Sequence, residues 1–220
     1  SAKDNLDFHA RIYHLSKEMR QKRIKEVLAL VGLTEQAGKR VKTFSGGMKR
    51  RLETARGLLH EPAILFLDEP TLGLDPQTRR HIWDYIFGLK KQGKITVLLT
   101  THYMEEADYL CNRIAIIDNG KIIISGKPSE LKQKLKGDVV SLKVDNITPA
   151  IIKNLRNIKG VSKVKSSGTE VRIITTKAEE KLHKIVEAVK RSKASIQAIS
   201  VHKPSLEDVF LHYTGKEMRK

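Results

Sequence analysis

Four short segments in the first half of this 220-residue chain bear groups suited to a phosphate and its metal ion. Ser45-Gly46-Gly47 precedes a run of helical periodicity. A helix N-terminus offers unpaired N–H groups and a positive dipole end, and two residues without Cβ let an anion approach the backbone. The Ser hydroxyl adds a donor. Asp68-Glu69 closes an apolar run, residues 64–67. An acid at a strand end can hold Mg²⁺, directly or through water, while its neighbour positions or deprotonates an attacking water. His102 follows the next apolar run, residues 95–99, and could reach the same sheet edge, where open α/β folds place their ligands. Gly73-Leu74-Asp75 lies just beyond the carboxylates. Each segment alone has a plainer reading: a capped helix behind a tight turn, acids ending a buried strand, a structural histidine. Their joint order and spacing outweigh those readings.

The elements that must position these groups are legible in the periodicity. Ser16 can cap a helix whose Ile24, Val27, Leu28 and Val31 share one face, with Gly32 as the stop. A second helix opens at Ser45, with Met48, Leu52, Ala55 and Leu59 inward and Lys49, Arg50, Arg51 and Arg56 largely outward. Residues 64–67 and 95–99 read as parallel strands buried on both faces. Asp75 and Pro76 read as N-cap and first residue of a helix that buries Ile82, Ile86 and Leu89 and ends by Gly93. Beyond His102 comes a helix with Met104, Ala107 and Leu110 inward, then a hairpin turning at Asp118-Asn119-Gly120. Helices alternating with apolar strands indicate an α/β layer architecture.

The rhythm changes after Gly137, which predicts two domains, 1–137 and 138–220. From Val139 onward the order is strand, helix (149–157), strand, strand, helix (179–191), strand, with Ser167-Gly168 turning the middle pair. That order fits a small α+β, ferredoxin-like module, a fold that specifies no function. The net charge of +17 divides almost evenly between the two parts, so no block reads as a nucleic-acid tail. A diffuse positive field favours anionic partners, and a Lys-rich solvated surface would look the same. The single cysteine, Cys111, excludes an internal disulfide framework and reads as a packed thiol. No apolar run approaches the ~18 residues needed to span a bilayer, so a membrane role needs another subunit.

Phe44-Ser45-Gly46-Gly47-Met48 resembles the signature of ATP-binding-cassette (ABC) ATPases, with Phe and Met where Leu and Gln are usual. The Lys49-Arg50-Arg51 that follows is similar to exporters of the daunorubicin-resistance type. Leu67-Asp68-Glu69-Pro70-Thr71 resembles the Walker B region, Gly73-Leu74-Asp75-Pro76 the D-loop, and His102 the switch histidine. Pro204-Ser205-Leu206-Glu207-Asp208-Val209-Phe210 with Tyr213-Thr214-Gly215 is similar to the tail of the same exporters. Leu206, Val209 and Phe210 also give a short helix a face to dock.

The resemblance implies a partial P-loop-NTPase-like ABC domain followed by the small module, with ATP and Mg²⁺ as ligands. It implies that Asp68 helps bind Mg²⁺, Glu69 is the general base and His102 senses the γ-phosphate. Ser45, Gly46 and Gly47 would contact ATP held by a second ABC subunit, most simply in a homodimer, and Leu74 and Asp75 would lie at that interface. A transmembrane permease would be the other partner, at the cytoplasmic face of the membrane, with nucleic acid disfavoured. No stretch reads G-x-x-x-x-G-K-[ST], the phosphate-cradling loop of such enzymes. The opening Ser1-Ala2-Lys3-Asp4-Asn5-Leu6 resembles the segment just after the family's Q-loop, which places the expected cradle upstream of Ser1 and leaves this chain alone inactive. Two other readings stand: a non-hydrolytic half-cassette that donates its signature in trans, and an ABC-type protein acting on ribosomes or DNA.

Overall fold

The computed structural model describes residues 1–93, 95–192 and 194–215, which fall into two compact units that divide between Leu110 and Cys111. In the first unit, α1 (Ala2–Ile12) starts with a reciprocal cap between Ser1 and Asp4. Ser16 caps α2 (Lys17–Leu30) by accepting from the Met19 N–H, and Gly32 takes the positive φ, 64°, that turns the chain out of it. Ile24, Val27, Leu28 and Val31 are buried as their spacing predicts. Two 3₁₀ turns, Thr34–Gln36 and Val41–Thr43, lead to α3 (Gly46–Leu58). Arg23, buried on α2, donates to the carbonyls of Leu58 and Leu59 at the end of α3 and to the Tyr85 hydroxyl. A cation there satisfies carbonyls that a helix C-terminus leaves open.

Strand β1 (Ile64–Asp68) pairs in parallel with β2 (Thr96–Thr100), so that Asp68 stands opposite Thr100. Between them runs α4 (Pro76–Lys91), which buries Ile82, Trp83, Ile86 and Leu89; α5 (Met104–Leu110) follows β2. The strands differ from expectation in being covered on one face only. Leu65 and Leu67 are buried, and Leu65 reaches toward Gly57 of α3, whereas Ile64, Phe66 and Leu98 are 60%, 72% and 61% exposed. An all-apolar run reports that both faces can be covered, and the described residues of this unit cover one.

The second unit opens with the expected hairpin, β3 (Ile114–Asp118) and β4 (Lys121–Gly126), whose Asn119 and Gly120 both have positive φ as a tight hairpin turn requires. Then come α6 (Pro128–Gln133), β5 (Asp138–Val144), α7 (Pro149–Arg156), β6 (Val161–Ser167), β7 (Glu170–Thr175), α8 (Ala178–Arg191), β8 (Ile196–His202) and α9 (Leu206–Thr214). Strands β5 to β8 form an antiparallel sheet in the order β6-β7-β5-β8, the split β-α-β arrangement. Val140, Leu142 and Val144 alternate onto the face packed with Ile151 and Leu155 of α7 and Ile185 and Val189 of α8.

Lys163 and Lys165 of β6 reach the carbonyls at the C-terminal end of α9. In α9, Leu206, Val209 and Leu211 are buried and Phe210 is half-buried, which replaces Phe210 by Leu211 in the docking face. Cys111 is half-buried. The units divide at Leu110–Cys111, ahead of the change of rhythm at Gly137, because β4 and α6 pack against α9.

Candidate functional site

The carboxyl end of the β1–β2 pair brings the predicted acid pair and histidine together. The Thr100 hydroxyl donates to the exposed Asp68 carboxylate across the strand pair. One residue on, Glu69 adopts φ 47°, a left-handed conformation uncommon for a residue with a side chain. Its N–H donates to the Thr100 carbonyl at 3.0 Å and also meets the Thr100 hydroxyl. The turn swings the Glu69 carboxylate onto His102, where Oε2 lies 2.8 Å from Nδ1. Both side chains are about one-third exposed, open to solvent and to a ligand. Beside them the His102 and Tyr103 rings lie 4.2 Å apart, and the Arg79 guanidinium sits 3.9 Å over Tyr103.

Ser45 caps α3 by accepting from the Met48 N–H at 3.2 Å. A Cβ placed on Gly46 would meet nothing within 4 Å, so this helix terminus is open to an approaching group. A Cβ on Gly47 would lie 3.6 Å from the Gly73 carbonyl, which sets the Ser-Gly-Gly terminus against the Gly73-Leu74-Asp75 loop. Leu74 is buried and anchors that loop. Asp75 caps α4, its carboxylate accepting from the Thr78 hydroxyl and N–H at 2.7 and 2.8 Å, with Pro76 as first helical residue. The Thr78 hydroxyl is the main cause holding the Asp75 carboxyl below its ordinary value.

Two site residues were not singled out by sequence reasoning. Arg50 is not simply an outward cation: its Nη2 donates to the carbonyls of Asp68 and Glu69, the latter at 2.9 Å. Glu106 on α5 is fully buried and accepts from the Trp83 indole at 2.7 Å and the Thr71 hydroxyl at 3.0 Å. One carboxylate thereby ties together the loop after the acid pair, α4 and the helix after His102. An acid inside an amphipathic pattern is the available signal, since Glu106 falls on the face of Ala107 and Leu110. Met48, expected inward, is half-buried.

A parallel strand pair ending in Asp-Glu against a histidine, with a glycine helix terminus and a capped loop in the same unit, is the make-up of an ABC-type ATPase domain. Residues 1–72 match the ABC transporter family, and residues 126–214 match the family "ATP-binding protein DrrA1-3-like, C-terminal domain". The chain is 38% identical over 222 residues to the linearmycin resistance ATP-binding protein LnrL of Bacillus subtilis, aligned over 100% of this chain and 71% of that protein. It is 39% identical over 218 residues to the Nod factor export ATP-binding protein I of Ralstonia nicotianae, over 98% of this chain and 66% of that one. Among solved structures it resembles a dimeric ATP-binding cassette in a post-hydrolysis state with ADP and Pi, at 28% identity and a TM-score of 0.51. That match covers 58% of this chain and 56% of the other. The chain belongs to the ATP-binding proteins of ABC transporters, of the DrrA, daunorubicin-resistance type.

Proposed function

We propose that this chain supplies the carboxylate, signature and C-terminal parts of an ATP-hydrolysing subunit of an exporter, working with a separate membrane permease at the cytoplasmic face of the membrane. The observation that carries the reading is the 2.8 Å contact of Glu69 with His102 at the end of β1, with Asp68 beside it. Glu69 takes the proton of a water attacking the γ-phosphorus, the bond to the β-phosphate oxygen breaks, and ADP and phosphate leave. The His102 contact engages Nδ1, and Nε2 is the other ring nitrogen that can meet a ligand.

The residues present fit a Mg²⁺ ion held in the manner of phosphoryl-transfer sites. Asp68 is exposed and oriented by Thr100, and among the described residues no group of three or more His, Cys, Asp or Glu could hold an ion by itself. Mg²⁺ is commonly held by one or two carboxylates together with water and substrate phosphates. When bound it neutralises charge on the phosphate oxygens. Ser45, Gly46 and Gly47 serve the ATP of a second copy, with Leu74 and Asp75 at the shared interface; the dimeric cassette among the structural relatives supports that arrangement.

In the full-length protein, Glu69→Gln is expected to retain ATP binding and slow hydrolysis by at least ~10²-fold, the lower range for losing a general base. Unchanged turnover would remove Glu69 from the mechanism.

A further inference from the structure

One face of α3 grips the turn that presents the two carboxylates. Arg50 donates through Nη2 to the carbonyls of Asp68 and Glu69, and the Thr54 hydroxyl, four residues on and so on the same helix face, lies 3.2 Å from the Arg50 carbonyl and 3.3 Å from the Pro70 carbonyl and shares its one proton between them. Two successive carbonyls are held by one guanidinium of that helix. The grip falls where the backbone needs it, because a non-glycine residue at positive φ persists only when its surroundings over-determine it. The Glu69 N–H is fixed by Thr100 and its carboxylate by His102; its carbonyl accepts from Arg50 at 2.9 Å and from the Leu72 N–H of the same turn at 3.2 Å, so Arg50 is the contact that comes from another element. The guanidinium is itself oriented, with Nη1 donating to Glu53 Oε2 at 2.8 Å. A lysine ammonium lacks this planar fork and cannot reproduce both sets of bonds in the same geometry.

We infer that Arg50 is a positioning residue for hydrolysis, which holds the Glu69 backbone in its left-handed turn and so aims the general base. Because α3 begins at Ser45-Gly46-Gly47, the aim of Glu69 then depends on the placement of the helix that carries the signature. The inference rests on the assignment of Glu69 as the base, and misplacing a catalytic group by about 1 Å can cost ~10²-fold in rate.

The test is a double-mutant cycle in the full-length protein, with turnover and KM for ATP measured for Arg50→Met, Glu69→Gln and the pair. Arg50→Met keeps the stem and removes the donors. It is expected to lower turnover about 10- to 100-fold while KM stays within about twofold. In the Glu69→Gln background the same change should cost almost nothing in single-turnover hydrolysis, since Arg50 acts through the group already removed. Arg50→Lys should recover part of the loss. If Arg50→Met does not fold, the same cycle with Arg50→Lys decides. Unchanged turnover in the Arg50 variant, a loss confined to KM, or an equal factor lost in both backgrounds would overturn the inference. Wild-type turnover in Glu69→Gln alone would instead refute the base assignment beneath it.

Discussion

Replacing Glu106 by Ala removes the acceptor of two buried donors, the Trp83 indole N–H and the Thr71 hydroxyl. Each donor left unpaired costs about 1–3 kcal/mol, or about 2–6 kcal/mol together. Loss of Oε2 works the other way, since that oxygen is buried without a hydrogen-bond partner among the described residues and is relieved of a similar cost. The net destabilisation is therefore about 1–3 kcal/mol, a large fraction of a domain's typical 5–15 kcal/mol. Glu106→Gln keeps one carbonyl oxygen for both donors and should cost less than Ala. Trp83 is the chain's only tryptophan and sits at the perturbed site, so urea unfolding followed by its emission reports on this unit directly. At a slope of about 2 kcal/mol per molar urea, a 2 kcal/mol loss moves the midpoint by about 1 M. An Ala midpoint within about 0.2 M of the parent, or a Gln variant as weak as Ala, would refute this account of the buried carboxylate.

Calorimetric titration of the 220-residue chain with Mg-ATP should give a dissociation constant no tighter than about millimolar, because its carboxylates and histidine hold only one end of the ligand; a micromolar constant, near −8 kcal/mol, would contradict this. Burial pushes His60 and His212 below the ordinary 6.5, and Lys163 and Lys165 push His212 the same way. Their neutral folded forms face an unfolded chain that takes up protons from pH 6.5 downward. The stability they contribute is thus present above 6.5 and is lost as pH falls from there toward their folded values, so His212→Gln should flatten the fall in melting temperature between pH 7.5 and 5.5. Hydrogen exchange should find the second unit, with its four-stranded sheet covered by α7 and α8, better protected than the two-stranded sheet of the first, and the reverse order would count against the uncovered face of Ile64, Phe66 and Leu98.

What was legible in the sequence is what is local. Ser16, Ser45 and Asp75-Pro76 cap the helices they were expected to cap, Asn119-Gly120 turns the hairpin, and the strand-helix order after Val139 gives the observed sheet. The capping box of Ser1 and Asp4 is equally local, but the resemblance of residues 1–6 to a family segment predicts no helix there, and α1 is a finding of the structure. Other features depend on tertiary partners that no local pattern names. Arg50 is one of several cations on a helix until the carbonyls of residues 68 and 69 arrive beside it, and Glu106, though it falls on the apolar face of its helix, has no partner named by the sequence until Trp83 and Thr71 close over it. The apolar runs of β1 and β2 describe a sheet able to be covered twice, and their sequence does not say by what.

The central claim is that Ser45-Gly46-Gly47 of one subunit completes the site built on Asp68, Glu69 and His102 of another. The most direct measurement mixes two full-length variants, Gly47→Asp, which sets a negative side chain at the signature terminus, and one disabled in the phosphate-cradling loop. ATP occupancy is read by photo-crosslinking. If the signature acts in trans, each mixed dimer contains one site with both lesions and one with neither. The account predicts that labelling of one site is retained. Equal loss at both sites, as expected were each signature to serve its own subunit, would contradict it.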